Sequence, residues 1–115
     1  MFTSKENRTD IFKYDNEKGE HEITIEKLVT HDKKPQSLNM YAHITLVPDG
    51  EVKYHVHTGE SETYYILSGT GLYNDNGNEI TVKPGDVTFT ANGEGHGLKN
   101  IGNEDLSFMA LIIKD

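Results

Sequence analysis

The sequence predicts an all-β domain, an antiparallel sandwich or barrel of nine or ten short strands. Apolar and polar residues alternate at period two along most of the chain, turn formers recur between these runs, and no stretch carries a helical period. Eleven glycines, most of them after position 50, suit that punctuation. At 115 residues the chain encloses one modest core and reads as one domain.

The elements follow in order. Residues 1–20 are charged and aperiodic and read as an N-terminal arm, with a short edge strand near Ile11 to Tyr14; residues 21–115 form the β-domain. In "HEITIEKLVT", Ile23 and Ile25 share one strand face, and "KKPQS" breaks the chain. In "NMYAHITLVP", Met40, Ala42, Ile44 and Leu46 form an apolar face, with Tyr41, His43 and Thr45 opposite. After the turn "PDG" come "EVKYHVH", the turn "TGES" and "ETYYILS". "GTGLYND" meets "EITV" through Asn76-Gly77, a strong hairpin signal. "KPGD" leads to "VTFTA", and "HGLKNI", "GNED" and "LSFMALIIK" end the chain. Phe89, Phe108, Met109, Leu111 and Ile113 read as core and interface.

Charge narrows the partners. The formal net charge is −8, and Arg8 is the single arginine. A nucleic-acid binder needs a basic surface, and bidentate grip on phosphates is mostly arginine work, so nucleic acid and polyanionic ligands are disfavoured. With no cysteine there is no disulfide framework, thiolate metal site or cysteine nucleophile. No apolar leader or membrane-length run is seen, so a cytoplasmic location with no membrane partner is the expectation.

Two of six histidines stand on alternate residues, in "YHVHTGESE". In a strand His55 and His57 project to one face, and a hairpin through "TGES" can bring Glu62 beside them. Two imidazoles and a carboxylate suit a divalent transition metal. Taken alone, such a pair is more often solvated strand surface. Lys53 counts in register with the pair, and Tyr64 shares the face of Glu62. Tyr64 and His43 are the candidates for an acid–base role.

The spacing goes further. Gly50, His55, His57, Glu62 and Gly69 resemble the first motif of the cupin superfamily, and Gly85, Gly93, His96 and Asn100 resemble the second. The first glycine stands one residue closer to the histidines than is usual, and Ala91 replaces a customary proline, which touches loop rigidity rather than ligands. The resemblance covers about residues 40–113 and implies a single-domain jelly-roll β-barrel. It further implies a metal site of His55, His57, Glu62 and His96, for manganese, iron, cobalt, nickel, copper or zinc. Asn100 would be a structural hydrogen-bonder, and the glycines around His96 would serve a bulge or turn that aims it inward.

Small cupins often pair, so a homodimer is implied, and the arm at residues 1–20 would suit strand exchange. For function the family allows a metal-dependent enzyme of dioxygenase, isomerase or lyase type acting on a small organic molecule. It equally allows a non-enzymatic module binding a sugar or small metabolite, or a bare scaffold that kept its ligands. Near absence of arginine weakens sugar-phosphate chemistry.

Overall fold

The structure, a computed structural model, describes residues 1–115. It contains ten strands: β1 Ile11–Asp15, β2 His21–Lys27, β3 Leu38–Leu46, β4 Glu51–Val56, β5 Glu60–Ser68, β6 Gly71–Asp75, β7 Asn78–Val82, β8 Val87–Thr90, β9 Gly95–Asn100 and β10 Leu106–Lys114. One 3₁₀ turn, Lys5–Asn7, precedes them. Every pairing is antiparallel. β1-β2-β3-β10-β5-β8 form a six-stranded sheet, and β4-β9-β6-β7 form a four-stranded sheet.

The expected jelly-roll layering is present, but the sheets do not close into a barrel. A closed barrel would pair the β1/β2 end with β4, and β8 with β7. Both seams stay open, and cavities lie along them, one touching Ile23, Ile25 and Val52 and the other Ile80, Val82, Val87 and Phe89. Side chains rather than ladder bonds fill these gaps, so the architecture is a sandwich with two open seams.

Alternation puts the core where the period placed it. Ala42, Ile44 and Leu46 are buried beneath Leu106, Phe108 and Ala110 of the neighbouring strand, facing Leu98, Tyr73 and Val82 of the other sheet. β8 has the opposite phase to the one its composition suggests. Thr88 and Thr90 face inward, while Val87 and Phe89 are 62% and 60% exposed. Thr90 has a buried partner, the Tyr73 hydroxyl, at 2.9 Å, which explains why a polar residue takes the inner face.

Asn100 is structural, as expected. Fully buried, its amide donates to the carbonyls of Leu46 and Glu104 at 3.0 and 2.7 Å, and its oxygen accepts from the Gly102 N–H at 2.9 Å. The Asn76-Gly77 hairpin has the paired positive φ values, 51° and 97°, of a tight two-residue turn. β1 pairs with β2 of its own chain through a turn in which the Asn16 side-chain oxygen accepts from the Lys18 and Glu20 N–H groups.

Candidate metal centre

β4 carries one irregularity that sets up the site. Val52 opposes Leu98 and His55 opposes His96, so three steps on β4 match two on β9. The extra residue is a bulge at Lys53-Tyr54. It lets Val52 and His55 both face inward, although a strict count of alternation forbids this. Lys53, in register by that count, is turned out to an acidic surface groove with Asp15, Glu17, Glu22 and Asp49.

The glycines around His96 have a related task. Gly95 and Gly97 have no positive φ; their missing side chains make room for Tyr54. A Cβ on Gly95 would lie 2.2 Å from the Tyr54 hydroxyl, and one on Gly97 would lie 3.0 Å from the Tyr54 backbone nitrogen. Gly93, at φ 87°, serves the expected turn before β9, while the bulge sits in β4, opposite Gly95 and Gly97.

His57 follows β4, and its backbone is held on both sides. Its N–H donates to the Glu94 carbonyl at 3.0 Å, and its carbonyl accepts from the Gly93 N–H at 2.7 Å. Glu62 comes from β5 in the other sheet, and His96 from β9. The four side chains meet with donor atoms within 4.8 Å of one another. His57 Nε2 lies 3.1 Å from His55 Nε2 and 3.0 Å from His96 Nε2, and Glu62 Oε1 lies 2.9 Å from both His57 Nε2 and His96 Nε2.

Hydrogen bonds within the cluster do not account for this convergence. The Nδ1 atoms are engaged outside it: His55 Nδ1 donates to the Lys53 carbonyl at 2.8 Å, and His57 Nδ1 meets Glu60 Oε1 at 3.0 Å. His96 Nδ1 meets the Tyr73 hydroxyl at 2.9 Å. A neutral imidazole that donates from Nδ1 presents a lone pair at Nε2. The neutral rings of His55 and His57 then turn two lone pairs toward one another beside the Glu62 carboxylate, an arrangement that a cation between them would relieve. The separations fit one: bonds of about 2.1 Å give octahedral neighbours about 3.0 Å apart, against about 3.4 Å in a tetrahedron. The donor set fits a divalent transition ion.

Outer partners fix these rings, as metal-ligating histidines require. Sequence reasoning missed two of them, Glu60 and Tyr73. Glu60 stands three residues after His57, inside the stretch read as a turn. Its carboxyl is held below its ordinary 4.5, first by the hydrogen bond from His57, against an opposing desolvation, and further by one from Asn39. Glu60→Gln is expected to weaken metal binding about 10–100-fold, read by competition with a chromophoric chelator. The lowered carboxyl contributes stability that is present above its ordinary value and lost as pH falls through its folded value. Wild type should thus exceed the variant in stability at neutral pH, and the gap should close below about pH 4.5.

Tyr64 lines the cavity, as its register with Glu62 predicts. Its ring stacks on His96 with centroids 4.9 Å apart at 27°. Burial first, then the Glu62 charge, push its hydroxyl well above the ordinary 10.0, so it stays protonated and serves as a donor rather than a base. His43 is not brought to this site. Ala42 and Ile44 on either side face the core, so alternation turns its ring to the outer face of the six-stranded sheet. There it meets Glu26 and Ser107.

His55, His57 and Glu62 open onto a cavity of about 290 Å³, with His96 buried behind them. Besides His55, His57, Glu62 and Tyr64, apolar residues such as Met40, Val52 and Ile112 line it, with Tyr14 of β1. No lysine or arginine reaches it.

Two short sheets, two glycine-punctuated histidine motifs and an inward three-histidine, one-glutamate cluster that could hold a metal define a β-sandwich of the cupin type. Residues 42–112 match the family described as Cupin domain, and the chain belongs to that family. It is similar to an oxalate-binding protein of Thermotoga maritima, 41% identical over 95 residues, which cover 83% of this chain and 78% of that one. A Thermotoga maritima crystal structure described as a predicted oxalate decarboxylase matches over 100% of both chains, with 36% identity and a TM-score of 0.88. An RmlC-like cupin of Shewanella frigidimarina, 18% identical with a TM-score of 0.75 over 99% of this chain and 90% of that one, shares the fold. No helix is long and apolar enough to cross a membrane.

Proposed function

We propose that the chain is a metal-dependent binding protein for a small dicarboxylate of the oxalate type. The observation that carries this reading is the cavity: a cradle of candidate metal ligands opening into an apolar space that no cationic side chain enters. A divalent ion held by His55, His57, Glu62 and His96 supplies coordination for anionic oxygens. Its charge against Glu62 leaves a net of about +1, the only attraction for a dianion in a wall that otherwise repels one. An ion held there would attract both carboxylates of such a ligand at once.

The 41% identity to a protein named as oxalate-binding supports this ligand class. A sugar fits less well, since its hydroxyls need several hydrogen-bond partners and these walls offer few. Binding is preferred to turnover because no base stands free in the cavity. Glu62 is a ligand, Tyr64 keeps its proton, and His43 lies on the far side of the sheet.

The test is calorimetric titration of oxalate into manganese-loaded protein, metal-free protein and the His57→Ala variant. Saturable binding only to the loaded wild type is expected. Equal binding to metal-free protein, or none to stoichiometrically loaded protein, would refute the reading. Carbon dioxide released from loaded protein incubated with oxalate would move it to the decarboxylase class instead.

A further inference from the structure

On the outer face of the six-stranded sheet, away from the metal ligands, three side chains from three adjacent strands form a relay. Ser107 Oγ of β10 lies 2.5 Å from His43 Nε2 of β3, and His43 Nδ1 lies 2.8 Å from Glu26 Oε2 of β2. Arg8 Nη1 donates to the other oxygen, Glu26 Oε1, at 3.2 Å, so the arm fixes the carboxylate. We infer that Ser107, His43 and Glu26 form a second, metal-independent reactive centre in which Ser107 is an activated nucleophile toward small apolar acyl esters.

The order of contacts has the logic of a nucleophile, a base and a group that orients the base. Glu26 accepts from Nδ1–H, which leaves the lone pair at Nε2 facing the serine hydroxyl. That is the tautomer a general base needs. The group is reachable, for the His43 side chain is 29% exposed and Ser107 is half-buried. Beside it runs a groove of about 220 Å³ lined by Tyr41, Thr63, Tyr65, Met109 and Leu111. Met109 is the cross-strand partner of His43 and lies two residues along from Ser107, so the groove adjoins the hydroxyl. Its apolar walls suit an acyl or aryl group rather than a charged one.

Ser107 Oγ bonds to the ester carbonyl carbon while His43 Nε2 takes the hydroxyl proton. Collapse of the adduct breaks the ester C–O bond, and the leaving alcohol receives that proton. Water then releases the acid and restores the serine. Ser107 lies in a strand paired on both sides, with Thr45 and Ser68 directly opposite it, and no helix N-terminus aims amide donors at its hydroxyl. An oxyanion site without amide donors forgoes about 10²–10³ in rate. Single acylation with slow release is therefore the expected behaviour.

The experiment treats chelator-stripped full-length protein with a fluorophosphonate and reads adducts by intact mass and peptide mapping. One adduct on Ser107 is expected, absent in Ser107→Ala and about a hundredfold slower in His43→Gln and Glu26→Gln. Glu26→Asp should recover much of the rate, which a merely structural loss would not do. Wild type stripped of metal and wild type reloaded with manganese should label at the same rate, separating this centre from the metal site and from the binding reading above. Labelling of Ser107 no faster than in unfolded protein, or unchanged in folded His43→Gln, would overturn the inference.

Discussion

His96→Ala is expected to remove metal binding altogether, with elemental analysis falling from about one ion per chain to background. His96 is fully buried and supplies one of four donors. Its ring also stacks on Tyr64, and its Nδ1 meets Tyr73, so truncation removes a ligand and leaves a gap at the centre of the inner face. The second readout is thermal. A ligand at about a thousand times its Kd adds about 4 kcal/mol to the folded state, and each kcal/mol moves Tm by about 4–8 °C in a domain near this size. Wild type should rise by roughly 15 °C or more on adding metal, while the variant should not respond. Retention of one tightly bound ion by His96→Ala would place the metal elsewhere.

Phe108→Ala should cause the largest loss unconnected with a ligand, about 3–5 kcal/mol in urea denaturation with the slope unchanged. Phe108 is fully buried in β10, and its ring centroid lies 4.6 Å from that of Tyr64, which in turn stacks on His96. Removing it deletes apolar contacts and also the floor on which the metal-facing ring rests. Metal affinity should fall along with stability. Phe89→Ala is the contrasting case: with Phe89 60% exposed, the change should stay within about 0.5 kcal/mol. A comparable cost for both would contradict the assignment of inner and outer faces.

Three of the four candidate ligands were legible because their positions depend on local spacing. A strand places His55 and His57 together, and a short turn returns Glu62. His96 came from motif resemblance, since no local rule brings residue 96 to residue 57. Lys53 shows where counting fails. Nothing in "EVKYHVH" marks a bulge; the only trace lies forty residues on, in glycines that leave room for Tyr54. Phe89 shows another failure, since a four-residue strand has two phases and composition favoured the one that the Thr90–Tyr73 hydrogen bond overrides. Tyr14 and Glu60 depend on tertiary pairing and on where a turn begins, which the period of a sequence does not encode.

The donors do not belong to one layer. His55, His57 and His96 ride on the four-stranded sheet and its edge, while Glu62 belongs to the six-stranded one. An ion there would rivet two layers that are otherwise held together by side-chain packing and a few side-chain hydrogen bonds such as Tyr73–Thr90. Amide hydrogen exchange should reveal this mechanically. Loading should slow opening of β4, β5 and β9 together, as one cooperative unit spanning both layers, and leave the β9–β10 turn, at the opposite end of β9 from His96, exchanging as before. Loss of the ion would then unfasten one end of the sandwich rather than soften the whole.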